Sequence, residues 1–319
     1  MKRFINRRTA AWLLYYSGIL FLIGMLARWL GTGRPLFLTG HRVLPEKNIG
    51  DRVSDVDRMA LLSGHAITSR DLEKRLKFIM RLRSVGDPSE LTSGMPSGRA
   101  FYLTFDDGYR DNVYAAAPVL QKLGVRAVVF LIGDIVRNPS TTPWWDTWGG
   151  SAIRNSENEK DAITAYSKRC QERKKISRGL RRDNGDVGET SSGHLMYLSE
   201  MEIKQPNQTF YFASHTASHS NLTLLNDTEI AEEIEGGMTS IRDAPNYLPL
   251  LAFPFGYYNE RVLSYLREKS DIVLAFATGS GSHTDRHCLR RVNLNTSPYC
   301  LFIADCVGIF NFLHRKRLH

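Results

Sequence analysis

The sequence contains few cysteines, and none of them are paired in a short motif. There are four among 319 residues, namely Cys170, Cys288, Cys300 and Cys306, and no two of them form a CxxC pair. This spacing argues against a zinc finger and against a disulfide framework. Cys300 and Cys306 lie in an apolar stretch and are predicted to be packed thiols, which favours a reducing compartment.

Acidic residues are scarce relative to basic ones. The 42 Lys and Arg residues outnumber the 33 Asp and Glu residues, which gives a net charge of +9 and a pI near 9.4. Much of the excess falls between Lys168 and Arg182 and near the two ends of the chain. This pattern lacks the basic groove with interleaved aromatic residues that is typical of nucleic-acid binding. We therefore expect no nucleic-acid partner and keep an anionic polymer or a membrane surface as alternatives.

A long hydrophobic run of ordinary membrane-spanning length is also lacking. The uncharged run from Thr9 to Ala27 follows four basic residues and sits at the lower edge of the roughly 20 residues that a spanning helix needs. One interpretation is a membrane anchor whose N-terminus stays in the cytoplasm. The other is a helix that packs on the domain. The first predicts a membrane-associated protein and the second a cytoplasmic one.

Apolar runs and helical patterns alternate along the chain. Buried strands are predicted at 35–39, 100–105, 125–132, 209–214, 250–255 and 272–277. Helices are predicted at 69–82, 111–123 and 299–313, and also after 227 and after 259. This alternation indicates a parallel α/β sheet. If the sheet closes into a barrel, side chains that follow its strands meet at one face, where such folds carry their active sites.

Two short motifs supply the parts of a metal-dependent hydrolytic site. The first is Thr104–Gly108, with the sequence TFDDG, and the second is Ser214–His219, with the sequence SHTASH. Two adjacent carboxylates can give one ligand to a metal and leave the other free. Two histidines four apart can point the same way on one helical turn. One Asp with two His leaves a coordination position open for water, which is typical of a catalytic zinc site.

These motifs and Phe253–Gly256 resemble, in the same order, those of the polysaccharide deacetylase family, also called the NodB-homology or carbohydrate esterase 4 group. The resemblance extends from about Pro35 to Leu294 and is interrupted by a basic insertion at about 150–195. Leu38–Pro45 is similar to the opening strand of one branch, although Gly40 stands where that branch usually has Tyr. Matches to the first helix and following strand of the family lie at Ala117–Leu120, Leu123–Gly124 and Val129–Phe130.

The resemblance implies an α/β fold, a distorted (β/α) barrel with fewer than eight regular strands. It also implies a hydrolase that removes N-acetyl groups from amino sugars of a surface polysaccharide, an oligosaccharide or a precursor. By residue match, Asp107, His215 and His219 would hold a divalent metal, with Zn²⁺ preferred. Asp106 would be the catalytic base, and the main-chain N–H of Phe255 would help to hold the oxyanion.

Two functional residues of the family are not in their usual places. Ala252 occupies the position of an Arg that tunes the base, and the late motif that supplies the general acid is not intact. His283 and His287 lie in the corresponding region, and the sequence does not choose between them as the acid. These departures support a second hypothesis, a catalytically weak carbohydrate-binding protein on the same fold.

Three further residues are candidates for substrate contact. Pro254 belongs to the third motif, and Trp145 has a ring that could either stack on a sugar or pack in the core. Arg291 is similar to an Arg of one branch of the family and is expected to shape the site. Metal content together with acetate release would separate the enzyme from the binding protein.

The chain is predicted to have three segments. Residues 1–34 are a basic N-terminus with an apolar helix, 35–298 are the deacetylase-like domain, and 299–319 are a C-terminal helix with a basic tail. Within the insertion, we expect Lys168–Arg182 to lie away from the metal and to be loosely helical or poorly ordered. The reason is that Ile176 and Leu180 are its only large aliphatic residues, so burial offers little to offset the ordering entropy.

Overall fold

The computed structural model describes residues 6–30, 33–46, 53–96, 98–175, 196–279 and 281–308. Parallel strands form a closed barrel from β1 (Leu36–Gly40), β4 (Phe101–Phe105), β5 (Ala127–Leu131), β6 (Phe210–Ser214), β7 (Tyr247–Ala252), β8 (Leu274–Thr278) and β9 (Leu289–Asn293). They pair in that order, and β9 pairs back to β1. Two shorter strands, β2 (Arg42–Leu44) and β3 (Ala66–Thr68), form a separate parallel pair. This confirms the predicted distorted (β/α) barrel, an α/β fold with seven strands in its barrel.

The helices follow the strands along the chain, as the alternating pattern predicts. In the described residues they are α1 (Arg7–Tyr16), α2 (Ile19–Trp29), α3 (Asp55–Leu62), α4 (Ser69–Leu82), α5 (Arg110–Tyr114), α6 (Ala117–Leu123), α7 (Gly133–Arg137), α8 (Trp144–Arg154), α9 (Glu159–Arg173), α10 (Glu200–Ile203), α11 (Asp227–Thr239), α12 (Glu260–Lys269) and α13 (Tyr299–Val307). Side-chain caps fix where several of them begin. Thr68 caps α4, Asn226 caps α11 and Asn259 caps α12, each by accepting a backbone N–H of the first turn.

The interior of the barrel is filled by aromatic side chains. The Phe37 ring of β1 lies 5.0 Å from the Phe276 ring of β8, and Phe276 lies 5.7 Å from the Phe130 ring of β5. These strands are not neighbours in the sheet, so the contacts cross the barrel. Phe130 and Phe276 are fully buried. The barrel is therefore a packed core, and space for a ligand exists only at its ends.

Several element boundaries differ from those predicted. β7 stops at Ala252 and leaves Phe253–Gly256 in a turn, and α13 ends at Val307 with Gly308 in a left-handed C-cap. The helix predicted over 111–123 is split into α5 and α6, because Pro118 lacks the N–H that a continuous helix would need. β9 was not predicted, since its sequence LRRVN is too polar to indicate a buried strand. Residues 309–313 of the predicted last helix lie outside the described residues.

The N-terminal apolar segment forms two short helices that pack on the domain. α1 contacts α13, and α2 contacts α4 and α13. Gly24 of α2 permits this approach, because a Cβ there would lie 2.9 Å from a methyl group of Leu82. In the described chain no single helix has the length and apolarity to cross a membrane, and only α1 with α2, bent by 74°, meets the criterion as a pair.

Candidate active site

Three potential metal ligands converge at the carboxyl ends of β4 and β6. Asp107 follows β4 by two residues, and His215 directly follows β6. Nε2 of His215 lies 3.5 Å from Oδ1 of Asp107, and Nε2 of His219 lies 3.6 Å from the same oxygen. All three side chains are buried, and one ligand atom from each lies within 4.8 Å of the others. The structure thus brings together the three residues that the sequence proposed as a ligand set.

Left-handed backbone conformations orient the side chains of the site. In the described chain, the non-glycine residues with left-handed φ are Asp107 at 71°, Thr216 at 65°, His219 at 58° and Phe255 at 58°. Each such residue costs on the order of 1–3 kcal/mol and tends to persist at functional sites. The predicted helical turn carrying the His pair is wrong. His215 to His219 form an irregular turn after β6, and left-handed residues within it turn His219 toward His215.

Hydrogen bonding prepares the ligand atoms for a cation. Nδ1 of His215 lies 2.8 Å from the carbonyl oxygen of Ala252, which can only accept, so Nδ1 carries the proton and Nε2 presents its lone pair. Burial lowers the pKa of His219 to about 3, which keeps this imidazole neutral. Oδ1 of Asp107 is buried without a hydrogen-bond partner. Burial opposes the charged form of His215, but the neighbouring Asp107 carboxylate raises its pKa. A divalent cation fits this set, because it would satisfy the otherwise orphaned carboxylate oxygen together with two imidazole Nε2 atoms.

Asp106 is held by a buried arginine. Arg291 of β9 donates from Nη1 to Oδ1 of Asp106 at 2.6 Å and from Nη2 to Oδ2 at 2.8 Å, forming a bidentate pair. Burial alone would raise the pKa of Asp106, but the charges of Arg291 and His215 hold it below its usual value. Arg291 is 2% exposed. The predicted substrate contact of Arg291 is therefore wrong, because its guanidinium lies beneath Asp106 and supplies the partner that Ala252 cannot.

The Phe253–Gly256 segment turns the chain back over the site. It forms a single 3-10 turn after β7, with Phe255 at φ 58° and ψ 2°. Among the hydrogen bonds of the described chain, the Phe255 N–H donates to none. Position 256 has no room for a side chain, because a Cβ there would clash with the Thr278 hydroxyl and lie 2.8 Å from the Thr278 backbone nitrogen. The turn thus leaves this main-chain donor without an acceptor among the described residues, and it places the Phe255 ring 4.6 Å from the His219 ring.

These residues line a cleft of about 320 Å³, which also contains a histidine that the sequence analysis missed. His41 directly follows β1, and the adjacent strand places it near Asp106, since the Asp106 N–H donates to the Gly40 carbonyl at 2.9 Å. Nδ1 of His41 is buried without a hydrogen-bond partner. The similarity of Leu38–Pro45 to a family strand was the signal that could have found this residue.

Comparison with known proteins decides the family. The profile of the polysaccharide deacetylases matches residues 93–270, which is more than half of the chain. The chain belongs to the polysaccharide deacetylase family. YxkH of Bacillus subtilis, which is assigned to the polysaccharide deacetylases, is 53% identical over 41 residues, or 13% of this chain and 15% of YxkH.

Two solved structures of similar fold extend this comparison. IcaB from Ammonifex degensii is 17% identical with a TM-score of 0.54, and the match covers 86% of this chain and 97% of IcaB. The deacetylase PplD of Streptococcus pyogenes, solved in complex with acetate, is 15% identical with a TM-score of 0.50. The match covers 82% of this chain and 92% of PplD. At these identities the likeness shows that the deacetylase-type barrel is shared, and the site must be argued from its own residues.

Three predicted residues of this deacetylase fold do not lie in the cleft. His283 has Arg34 and Arg290 as its charged neighbours, which places it near the amino ends of β1 and β9. His287 is near Arg267 of α12 and precedes β9. Both predicted general acids are therefore at the opposite end of the barrel, because strands run from that end toward the metal ligands. Pro254 is buried as the first residue of its turn and does not line the cleft.

Trp145 lines the cleft, and its contact with a sugar stays a prediction. Its ring centre lies 4.9 Å from that of His219, and its Nε1 donates to the Tyr109 hydroxyl at 2.9 Å. Tyr109 and Tyr197 in turn donate to the Asp146 carboxylate. Burial raises the pKa of Asp146 to about 6. This network fixes the Trp145 ring as a wall beside the metal-ligand set.

The basic insertion also reaches the cleft, contrary to expectation. Residues 168–173 belong to the ordered helix α9, and Lys174, which ends it, lines the same cavity as His219. For its described residues, the expected separation of this segment from the potential metal ligands is therefore wrong. Composition indicated solvated charge, but Ala162 and Tyr166 of α9 are buried and dock the helix on the domain. Residues 176–182 lie outside the described residues.

Proposed function

We propose that this protein is a metal-dependent deacetylase that removes N-acetyl groups from amino sugars of a surface polysaccharide or its precursor. The observation that carries the proposal is the pairing of a three-ligand set with a separate carboxylate. Asp107, His215 and His219 would hold the cation, and Asp106 is kept from it by its bidentate pair with Arg291. The donor set favours Zn²⁺.

The residues of the cleft can perform each step of amide hydrolysis. A bound divalent cation supplies Lewis acidity, which lowers the pKa of water and polarises the acetamide carbonyl. Asp106, ionised because Arg291 lowers its pKa, accepts the proton of the attacking water. The Phe255 N–H, which has no acceptor in the described chain, would donate to the oxygen that becomes negative, an interaction typically worth about 3 kcal/mol. Trp145 restricts where the sugar ring can lie.

We infer that His41 gives the proton to the leaving amine. Its buried Nδ1 lacks a hydrogen-bond partner, and His41 lines the same cleft as Asp106 and Asp107. We expect His41→Gln to reduce acetate release from an N-acetylglucosamine oligomer by on the order of 10²–10⁴. An aryl acetate ester, whose phenolate leaves without protonation, should be hydrolysed at nearly the original rate. Equal losses on the amide and the ester would assign His41 a structural role instead.

The proposal as a whole is tested by metal analysis coupled to acetate release from N-acetylglucosamine oligomers. We expect about one zinc per chain and metal-dependent release, and both should be lost in His215→Ala, which removes one ligand. The control is Asp285→Asn, since Asp285 accepts the N–H of His287 and so lies at the opposite end of the barrel. A protein that binds zinc and the oligomer but releases no acetate would establish the alternative, a carbohydrate-binding protein.

We also propose that α1 and α2 lie on a membrane surface without crossing it. Of the sixteen exposed large hydrophobic residues in the described chain, eleven lie between Trp12 and Leu30. The opposite side of the pair is attached to the domain. Arg28 donates to the carbonyls of Met80 and Arg81 at 3.0 and 3.2 Å, and Arg7 pairs with Asp305 at 3.0 Å.

The composition of this surface favours lipid over a second protein. Trp12, Tyr16 and Trp29 are exposed at 52, 69 and 81%, and amphipathic rings are enriched where membranes meet water. The exposed Arg8 and the basic residues of both chain ends would add attraction to anionic lipids. The cleft would then work close to a membrane-borne substrate.

We expect Leu22→Ser with Leu26→Ser to weaken sedimentation with phosphatidylglycerol vesicles by at least about 10-fold. Each change removes roughly 1 kcal/mol or more of apolar transfer free energy. Met201→Ser with Leu224→Ser, which alters two exposed hydrophobic residues elsewhere, is the matched control and should bind as before. The result would contradict the proposal if the parent protein does not bind vesicles but forms dimers, and if Leu22→Ser with Leu26→Ser dissociates them. The surface would then be a contact between two chains.

A further inference from the structure

The cleft contains a positive charge that the proposed reaction does not use. Nζ of Lys174 lies 5.9 Å from the centre of the Phe255 ring and 6.0 Å from that of the Tyr257 ring. The Phe255 ring is also 4.6 Å from the His219 ring. One aromatic side chain therefore contacts both this ammonium group and a potential metal ligand.

The position of Lys174 is fixed by the backbone. Its carbonyl accepts a hydrogen bond of 2.7 Å from Nδ2 of Asn221, which is buried two residues after His219. The preceding residue, Arg173, is buried as well. The Lys174 side chain is half-buried, whereas its neighbour Lys175 is exposed. The end of α9 is thus attached to the segment that carries a metal ligand, and it presents one specific lysine to the cleft.

The acidic groups of the cleft are already engaged elsewhere. Asp106 is paired with Arg291, Asp107 faces the two histidines, and Asp146 accepts from two tyrosine hydroxyls. Within the part of the chain that the structure describes, no carboxylate oxygen lies within 4.0 Å of Lys174 Nζ. Among the described residues this half-buried lysine has no carboxylate partner, so a ligand anion would gain more from it than from a fully exposed lysine.

We infer that Lys174 selects a substrate in which the acetamido sugar is next to an anionic group, a carboxylate or a phosphate. This inference rests on the proposed deacetylase function and specifies its substrate class. An uncharged N-acetylglucosamine polymer offers Lys174 no partner, and after deacetylation its glucosamine units would be cationic and repelled. An anionic neighbour pairs with Lys174 before the reaction and remains to offset the new ammonium group after it.

The test compares matched oligosaccharides on Lys174→Gln, Lys174→Arg and the control Lys175→Gln. The substrates are chitotetraose, a tetrasaccharide of alternating N-acetylglucosamine and glucuronate, and diacetylchitobiose 1-phosphate. We expect the parent protein to prefer an anionic substrate, and Lys174→Gln to lower kcat/KM for it by on the order of 10-fold, mainly through KM. Lys174→Arg and Lys175→Gln should retain the preference, and added salt should weaken it. The glucuronate and phosphate arms identify which anion is recognised.

Two results would overturn the inference. One is a parent protein that prefers the neutral oligomer, and the other is a Lys174→Gln variant that loses activity equally on charged and neutral substrates. Binding, measured by calorimetry with the same oligosaccharides, separates this inference from the proposed function. Lys174-dependent binding of the anionic tetrasaccharide without acetate release would retain the anion site and refute the deacetylase. Acetate release from every substrate at equal efficiency would support the deacetylase function and refute the anion site.

Discussion

Asp106→Asn is expected to remove most acetate release while leaving the metal bound. The amide cannot accept the proton of the attacking water, and loss of a general base costs on the order of 10²–10⁴ in rate. The three proposed ligands are Asp107, His215 and His219, so the metal content should stay near that of the parent protein. Unlike His41→Gln, this variant should lose activity on the aryl ester as well, because both substrates need the same base.

The measurement needs a control for folding. The Asn side chain leaves Arg291 buried without its counter-charge, and breaking such a pair typically costs about 3–5 kcal/mol. Thermal unfolding should therefore be followed beside zinc content and acetate release, at a temperature where the variant is folded. A folded, zinc-loaded Asp106→Asn protein with unchanged turnover would show that another group is the base.

The convergence of Asp107, His215 and His219 was predictable from sequence, because each lies in a short motif that follows a strand. Asp106 and Asp107 follow β4 directly, and His215 follows β6. Because the carboxyl ends of all strands in a parallel barrel lie at one face, these residues must meet there. The local geometry was less predictable. A spacing of four suggested a helical turn for the His pair, but left-handed conformations at Thr216 and His219 produce the convergence.

The remaining site residues depend on tertiary structure that local patterns do not encode. Arg291 was named from sequence, but its pairing with Asp106 was not, because β9 is too polar to be predicted as a strand and barrel closure between β9 and β1 turns the guanidinium toward Asp106. His283 and His287 were proposed from their order in the chain, but the loop after β8 runs back to the amino end of β9 before they occur. Lys174 seemed to be solvated charge because the docking of α9 depends on distant contacts.

Arg291→Met is expected to destabilise the fold and to shift the pH dependence of any activity that remains. Asp106 would be left buried and unpaired, which costs about 3–5 kcal/mol in unfolding free energy. Burial raises the pKa of Asp106, and Arg291 is the largest influence that lowers it. Without Arg291 the pKa of Asp106 must rise, so the base is protonated up to higher pH. The acid limb of the kcat/KM profile should therefore move to higher pH.

A double-mutant cycle separates the ion pair from simple loss of packing. Each single change, Asp106→Asn or Arg291→Met, leaves one buried charge without its partner, whereas the double variant leaves neither. We expect the double variant to be more stable than the sum of the two single losses predicts, by roughly 1–3 kcal/mol. Urea unfolding of the four proteins at one pH measures this coupling. Strictly additive losses would mean that Arg291 stabilises the barrel through its packing against Phe130, whose ring centre is 5.3 Å from the guanidinium carbon, and does not act through Asp106.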